Sequence, residues 1–138
     1  MMKGLSPYEL IGGAEVVRAL VDRFYDLMDT LPDARDIRQM HATDLRHARD
    51  KLYQFLVGWL GGPPLYATEH GPPMLRHRHL SFPIDSAARD QWLLCMSRAM
   101  DEIGLKGDVR AHLERGLTRT ADHLRNRPDS DRRSGMFN

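Results

Sequence analysis

Residues 75–96 read LRHRHLSFPIDSAARDQWLLCM and combine two different patterns. The first part is basic and rich in histidine, and Pro83 closes it. The second part follows Asp85 or Ser86, either of which can cap a helix, and its apolar residues recur at three- and four-residue steps. Those residues are Trp92, Leu93, Cys95, Met96, Ala99, Met100 and Ile103. This period predicts an amphipathic helix.

Three other segments share the helical period. Their apolar residues are Val16, Val17, Leu20, Val21, Phe24, Leu27 and Met28 in the first, Leu45, Ala48, Leu52, Phe55, Leu56 and Trp59 in the second, and Val109, Leu113, Leu117, Ala121 and Leu124 in the last. Thr43 is the predicted N-cap of the second segment, and Asp108 begins the last. Since no stretch alternates like a strand, the sequence predicts an all-α fold with four main helices and some short helical turns.

The chain has 138 residues, which fits one domain. Its 20 basic and 19 acidic residues nearly cancel, which argues against charge-driven binding to nucleic acid or a membrane surface. A single cysteine, Cys95, leaves no internal disulfide and no cysteine-based metal cluster. With neither a spanning apolar run nor a signal peptide in the pattern, we expect a cytoplasmic protein. We expect the domain over residues 8–126, an N-terminal extension over 1–7, and a polar, disordered tail over 127–138.

The stretch from Gly62 to Ile84 is broken by glycines and prolines and carries His70, His77 and His79. A structureless loop of this length is unusual in a compact domain, and such loops are commonly functional. The simplest interpretation of each of the seven histidines is a surface or capping role. No zinc spacing, CxxCH haem attachment or phosphate loop is present, whereas spacing leaves a Ser/His/Asp triad open.

The order of several motifs resembles that of the group II truncated haemoglobins, over about residues 8–126. The motifs are Gly12-Gly13, Arg23-Phe24-Tyr25, Met40-His41, Asp44-Leu45, Phe55-Leu56 with Trp59, Gly61-Gly62-Pro63, Leu75 to His79 with Phe82, and Arg89 to Met96. The spacing from His79 to Trp92 is the most specific of these features. Ala42 departs from the pattern, because the family usually has a proline there.

The resemblance implies a two-over-two helical sandwich around a non-covalent haem b, with a very short first helix. His79 corresponds to the proximal ligand, where a neutral imidazole binds iron. Tyr25, His41 and Trp92 correspond to the distal polar residues, which stabilise partial negative charge on a diatomic ligand. Ala48 takes the place of the distal histidine of other globins and cannot donate a hydrogen bond.

The same resemblance implies the residues that surround the haem. Leu52 would lie over the iron, and Trp92 would border the cofactor as well as the ligand. Lys51, Arg76 and the Tyr66 hydroxyl are candidates to pair with the propionates. Phe55, Phe82, Ile84 and Met96 are expected to pack on the haem face or edge.

Three functions remain open at this point. The first is reversible binding of O2, CO and NO at a five-coordinate haem in a monomer or weak homodimer. The second is redox catalysis, as nitric oxide dioxygenation or peroxide turnover, with an external reductase because the chain has no flavin or nicotinamide motif. The third is a haem-free helical interaction domain. Direct ligation of the iron by His41 or His47 would give a six-coordinate form instead.

Overall fold

The computed structural model describes residues 5–129 and shows only helices, turns and loops over that range. The α-helices are α1 (Pro7–Ile11), α2 (Ala14–Thr30), α3 (Arg35–Gln39), α4 (Arg46–Trp59), α5 (Leu65–His70), α6 (Leu75–His79), α7 (Ser86–Glu102) and α8 (Gly107–His123), and a 3-10 turn covers Pro32–Ala34. Four of them are long, and they correspond to the four predicted segments. The prediction of an all-α fold is confirmed.

The four long helices form two layers. Helices α2 and α4 pack together in one layer, and α7 and α8 pack together in the other. The layers meet chiefly where α2 lies on α7. Fully buried side chains fill this interface from both layers, among them Leu20, Phe24, Met28, Met96 and Met100. This is the predicted two-over-two sandwich.

Helix α1 is short, as expected, and its ends are fixed locally. The Ser6 hydroxyl accepts a hydrogen bond from the Glu9 amide, while the Glu9 carboxylate accepts one from the Ser6 amide. Gly12 ends α1 at φ 117°, a left-handed conformation that favours glycine. Helix α1 begins at Pro7, next to the predicted domain boundary at residue 8.

Helix α4 begins later than the sequence predicted. Leu45 occupies the N-cap position, whereas Thr43, the predicted cap, lies in the preceding turn. The Arg38 guanidinium donates to the carbonyls of Ala42 (3.0 Å) and Thr43 (2.9 Å), which holds these residues out of the helix. In contrast, the predicted cap of α7 is confirmed, because the Asp85 carboxylate accepts a hydrogen bond from the Ala88 amide at 3.0 Å.

The broken middle stretch is partly helical, since it contains α5 and α6. Its far end is hydrogen-bonded to the residues that follow α8. The backbone N–H of Asn126 donates to the Ile84 carbonyl at 2.8 Å, and the Asn126 side chain donates to the His79 carbonyl at 3.1 Å. Asp129, which belongs to the tail predicted over residues 127–138, accepts hydrogen bonds from the Ser86 amide and hydroxyl at 2.8 and 2.7 Å. Residues 130–138 of that tail and residues 1–4 lie outside the described residues. Within residues 5–129, no helix is both long enough and apolar enough to cross a bilayer.

Close packing at Gly116 of α8 leads to a stability prediction. A Cβ at Gly116 would lie 2.5 Å from two ring carbons of Trp59, on α4. We therefore expect Gly116→Ala to lower the free energy of unfolding by about 1–3 kcal/mol, measured by urea denaturation. Gly58 is the matched helical control, because its added Cβ would meet nothing closer than 3.6 Å. Gly58→Ala should be neutral or stabilising, and equal stability of the two variants would contradict the packing argument.

Candidate functional site

Aromatic rings from three parts of the chain meet between α2 and α7. Phe24 and Tyr25 of α2 are in edge contact, with ring centroids 4.9 Å apart. Trp92 of α7 lies 5.0 Å from Phe24, and His41, just after α3, lies 5.8 Å from Tyr25 in an edge-on arrangement. The fold thus brings together the three residues predicted for the distal side.

Tyr25 is a buried phenol with an unused hydroxyl. Its side chain is almost fully buried, and burial raises its pKa well above the ordinary value, an effect that the nearby Arg49 charge partly opposes. The hydroxyl therefore keeps its proton at physiological pH. Among residues 5–129 no side chain or carbonyl pairs with this hydroxyl, and none pairs with the half-buried indole N–H of Trp92. Both groups are available as hydrogen-bond donors.

His41 differs from these two donors in its proton arrangement. Its Nδ1 lies 2.8 Å from the Ile37 carbonyl oxygen, which can only accept, so Nδ1 carries the proton and the neutral ring has a lone pair at Nε2. Burial lowers the pKa of His41 most strongly, and the charges of Arg38 and His79 lower it further, whereas the Ile37 hydrogen bond opposes them. At neutral pH, His41 thus presents an acceptor at Nε2.

His79, at the end of α6, is held in the same tautomer. Its Nδ1 lies 2.6 Å from the Leu75 carbonyl oxygen, one helical turn earlier, so Nδ1 donates and Nε2 has the lone pair. A metal-binding histidine commonly has this second hydrogen bond, because it fixes the ring and makes the other nitrogen a better ligand. His79 is half-buried, whereas His77, its neighbour in the His-x-His pair, is exposed. Burial and this hydrogen bond therefore distinguish His79 from His77.

His41 and His79 also affect each other electrostatically. Repulsion between the two imidazoles when both are protonated lowers the pKa of His41, although His41 follows α3 and His79 ends α6. Within residues 5–129, no group of three or more histidine, cysteine or acidic side chains is arranged to hold a metal ion.

The other predicted residues fall into three groups. Ala48, Leu52, Phe55 and Ile84 are partly buried and pack against the core, and Met96 is fully buried. Tyr66 is buried, with its ring 4.7 Å from His70 and 6.5 Å from Phe55. Lys51 and His47 are exposed on α4, and Phe82 is exposed with its ring 6.3 Å from that of His79.

Arg76 has a structural role that the sequence did not predict. Its Nη1 donates to the carbonyls of His123 (2.7 Å) and Arg125 (2.9 Å), at the end of α8. A cation at this position stabilises the negative end of the helix dipole. The remaining N–H groups of the guanidinium are still available to an anion such as a propionate.

Gln91 and Arg49 contact residues around the site, and neither was predicted from the sequence. The Gln91 amide accepts from the Ile37 amide at 3.2 Å and donates to Asp36 at 3.1 Å, so it ties α3, which precedes His41, to the helix of Trp92. Arg49 lies over the Tyr25 ring, 5.9 Å from its centroid. A polar residue directly before Trp92 was the available signal for Gln91, whereas nothing in the local pattern distinguished Arg49 from a solvated charge.

Comparison with known proteins gives a consistent result. Residues 6–126 match the family model described as bacterial-like globin. The chain is 46% identical over 129 residues to group 2 truncated hemoglobin YjbI of Bacillus subtilis (strain 168), which covers 94% of this chain and 95% of that protein. It matches the solved group II 2-on-2 hemoglobin from the plant pathogen Agrobacterium tumefaciens with a TM-score of 0.87 and 48% identity, over 91% of this chain and 97% of that one.

A third match is the X-ray structure of a truncated oxygen-avid haemoglobin from Bacillus subtilis. It has a TM-score of 0.83 and 46% identity, covering 88% of this chain and all (100%) of that one.

The two-layer arrangement of helices, together with these matches, identifies the fold as that of a 2-on-2 hemoglobin. The predicted fold and the predicted family are both confirmed. The chain belongs to the bacterial-like globin family and, within it, to the group II truncated hemoglobins. Binding of haem and of diatomic gases follows from this membership.

Proposed function

We propose that the protein binds oxygen and other diatomic ligands reversibly at a haem b whose iron is ligated by His79. The observation that carries the proposal is the pairing of two features among the residues predicted to surround the haem. The Leu75 carbonyl fixes the lone pair of His79 at Nε2, and the buried phenol and the indole of Tyr25 and Trp92 have donors with no partner among residues 5–129. A neutral imidazole on one side and free donors on the other are what a globin site requires.

The proposed role of His79 depends on the orientation of its imidazole ring. When bound, haem would supply an iron that His79 could ligate and that could bind a diatomic ligand. The hydrogen bond from Nδ1 to Leu75 fixes the ring plane and adds electron density to the ligating nitrogen. The contact from Asn126 to the His79 carbonyl anchors the same residue through its backbone. The chain thus holds its proximal ligand from two directions.

Tyr25 and Trp92 are the proposed donors to the bound ligand. Their O–H and N–H groups can stabilise partial negative charge on a diatomic molecule, which slows its escape. A hydrogen bond to a charged acceptor contributes about 1.5–3 kcal/mol, so each donor is expected to slow dissociation by about tenfold or more. His41 has a different role in this proposal, because its Nε2 accepts at neutral pH and its Nδ1 proton is committed to Ile37. The description of a Bacillus subtilis relative as oxygen-avid supports a strongly retaining site.

The residues expected around the porphyrin are compatible with this role. Leu52, Phe55 and Ile84 supply apolar surface for the ring, together with Phe82 beside His79, whereas Met96 is fully buried in the core. Lys51, Tyr66 and the unused N–H groups of Arg76 are the proposed partners of the propionates. Ala48 adds no donor, which leaves ligand stabilisation to Tyr25 and Trp92.

The test is an absorption spectrum of the purified protein, reduced and free of ligand, and then exposed to carbon monoxide. We expect a five-coordinate ferrous spectrum that converts fully on addition of carbon monoxide, because His47 is exposed and His41 is fixed by Ile37. A six-coordinate low-spin spectrum before addition would identify an internal histidine as the second ligand. A preparation that takes up no haem would contradict the proposal altogether.

A further inference from the structure

Arg49 makes a set of contacts over the distal tyrosine that its place on the surface of α4 does not explain. Its Nη1 donates to the Asp22 carbonyl at 3.0 Å and to the Asp22 carboxylate at 3.3 Å. Its Nη2 donates to the Asp26 carboxylate at 2.8 Å. Asp22 and Asp26 lie three residues before and one residue after Tyr25 on α2, so the guanidinium spans the turn of helix that carries the phenol.

The guanidinium carbon of Arg49 lies over the Tyr25 ring. The distance from Cζ to the ring centroid is 5.9 Å, within the range of a cation–π interaction. The Arg49 side chain is 22% exposed, so its charge is less screened than that of an ordinary surface arginine. The carboxylates bind the group through Nη1 and Nη2, while its Cζ lies over the ring.

The charge of Arg49 reaches the phenol despite its two carboxylate partners. Arg49 lowers the pKa of Tyr25, against the larger effect of burial. A positive potential at a phenol makes its O–H a stronger hydrogen-bond donor. Asp22 and Asp26 are also contacted by Arg18 (3.6 Å) and Arg23 (3.8 Å), which balances part of their negative charge.

We propose that Arg49 is a positioning residue for the ligand site: anchored by Asp22 and Asp26, it fixes the Tyr25 ring and raises the positive potential at its hydroxyl. This inference rests on the proposed function of Tyr25 as a donor to the bound ligand. In this inference Arg49, on α4, does not contact the ligand but affects how strongly Tyr25, on α2, binds it.

The test compares Arg49→Met with Arg46→Met in the haem-loaded full chain. Met replaces the arginine with an uncharged side chain of similar length, and Arg46 is a matched control on the same helix, with a side chain 85% exposed. The readouts are the C–O stretching frequency of bound carbon monoxide, which reports the local potential, and the oxygen dissociation rate. We expect Arg49→Met to raise the frequency and to speed oxygen dissociation by about two- to fivefold, as for one cation–π contact. Arg46→Met should change neither.

Two further variants separate positioning from general loss of structure. Arg49→Lys keeps the charge but loses the fork that binds both aspartates, so its frequency should stay nearer to that of the unmodified protein. In a Tyr25→Phe background, Arg49→Met should add little to the change in either readout. An unchanged frequency in Arg49→Met, or an equal effect with and without the Tyr25 hydroxyl, would overturn the inference. If Tyr25→Phe itself alters nothing, the proposed function fails instead.

Discussion

Replacing His79 by alanine is expected to abolish stable haem binding. The variant loses the only side chain of the His-x-His pair that is both half-buried and fixed by a backbone carbonyl. Loss of an outer-shell partner alone typically weakens metal binding by 10- to 100-fold, so loss of the ligand itself should weaken haem affinity by more than about a hundredfold. The measurement is a titration of the apoprotein with haem, followed by absorption.

The control for this prediction is His77→Ala. His77 lies two residues away on the same short helix and is exposed, so its removal should leave haem affinity within about twofold of the original. Weak binding in both variants would indicate that α6 itself has been disrupted. Normal binding by His79→Ala, with an unchanged ferrous spectrum, would refute the proximal assignment.

Removal of either distal donor is expected to have the second large effect. Tyr25→Phe and Trp92→Phe should each raise the oxygen dissociation rate by about tenfold or more, because each deletes one hydrogen bond to a charged acceptor. Flash photolysis or stopped-flow displacement by carbon monoxide measures this rate. The Tyr25 change deletes one hydroxyl from a ring already packed on Phe24, so the fold should be retained.

Tyr53→Phe and Trp59→Phe provide matched controls for chemistry and size. Tyr53 is on α4, and its ring centroid lies 5.3 Å from the guanidinium carbon of Arg18. Trp59 packs against Gly116, and its ring centroid lies 5.9 Å from that of His112. Neither belongs to the aromatic group around Tyr25, so both variants should release oxygen at the original rate. If these controls changed the rate as much as the distal variants, ligand retention would depend on overall packing. Unchanged rates for both Tyr25→Phe and Trp92→Phe would show that the donors lie elsewhere.

The helical period predicted the four long helices because one apolar stripe per helix must be buried, and that requirement is visible locally. The cap at Asp85 was also predictable, because an N-cap hydrogen bond joins residues only three positions apart in the sequence. The start of α4 was not, because the carbonyls of Ala42 and Thr43 are held by Arg38. A hydrogen bond from a side chain to the segment that follows it produces no periodic pattern in the sequence.

Part of the candidate site was likewise predictable from the sequence and part was not. Resemblance to a family indicated Tyr25, Trp92 and His79 from the order of motifs, and the fold brings Tyr25 and Trp92 into contact with the same phenylalanine. The proton positions on His41 and His79 depend on carbonyls one turn earlier, which only the structure reveals.

Contacts across helices were also beyond local sequence patterns. Arg49 meets Asp22 and Asp26 because of the register between α2 and α4, and Gln91 meets Ile37 because α3 lies against α7. Such contacts depend on how helices pack, so a charged or polar residue on a helix surface does not reveal them in advance.

The most direct test of His79 ligation is resonance Raman spectroscopy of the reduced, ligand-free protein in the region of the iron–imidazole stretch. We expect the band in the unmodified chain and in His77→Ala, its absence in His79→Gly, and its return when free imidazole is added to that variant. An iron–imidazole band in His79→Gly without added imidazole would contradict the account, because another histidine would then hold the iron.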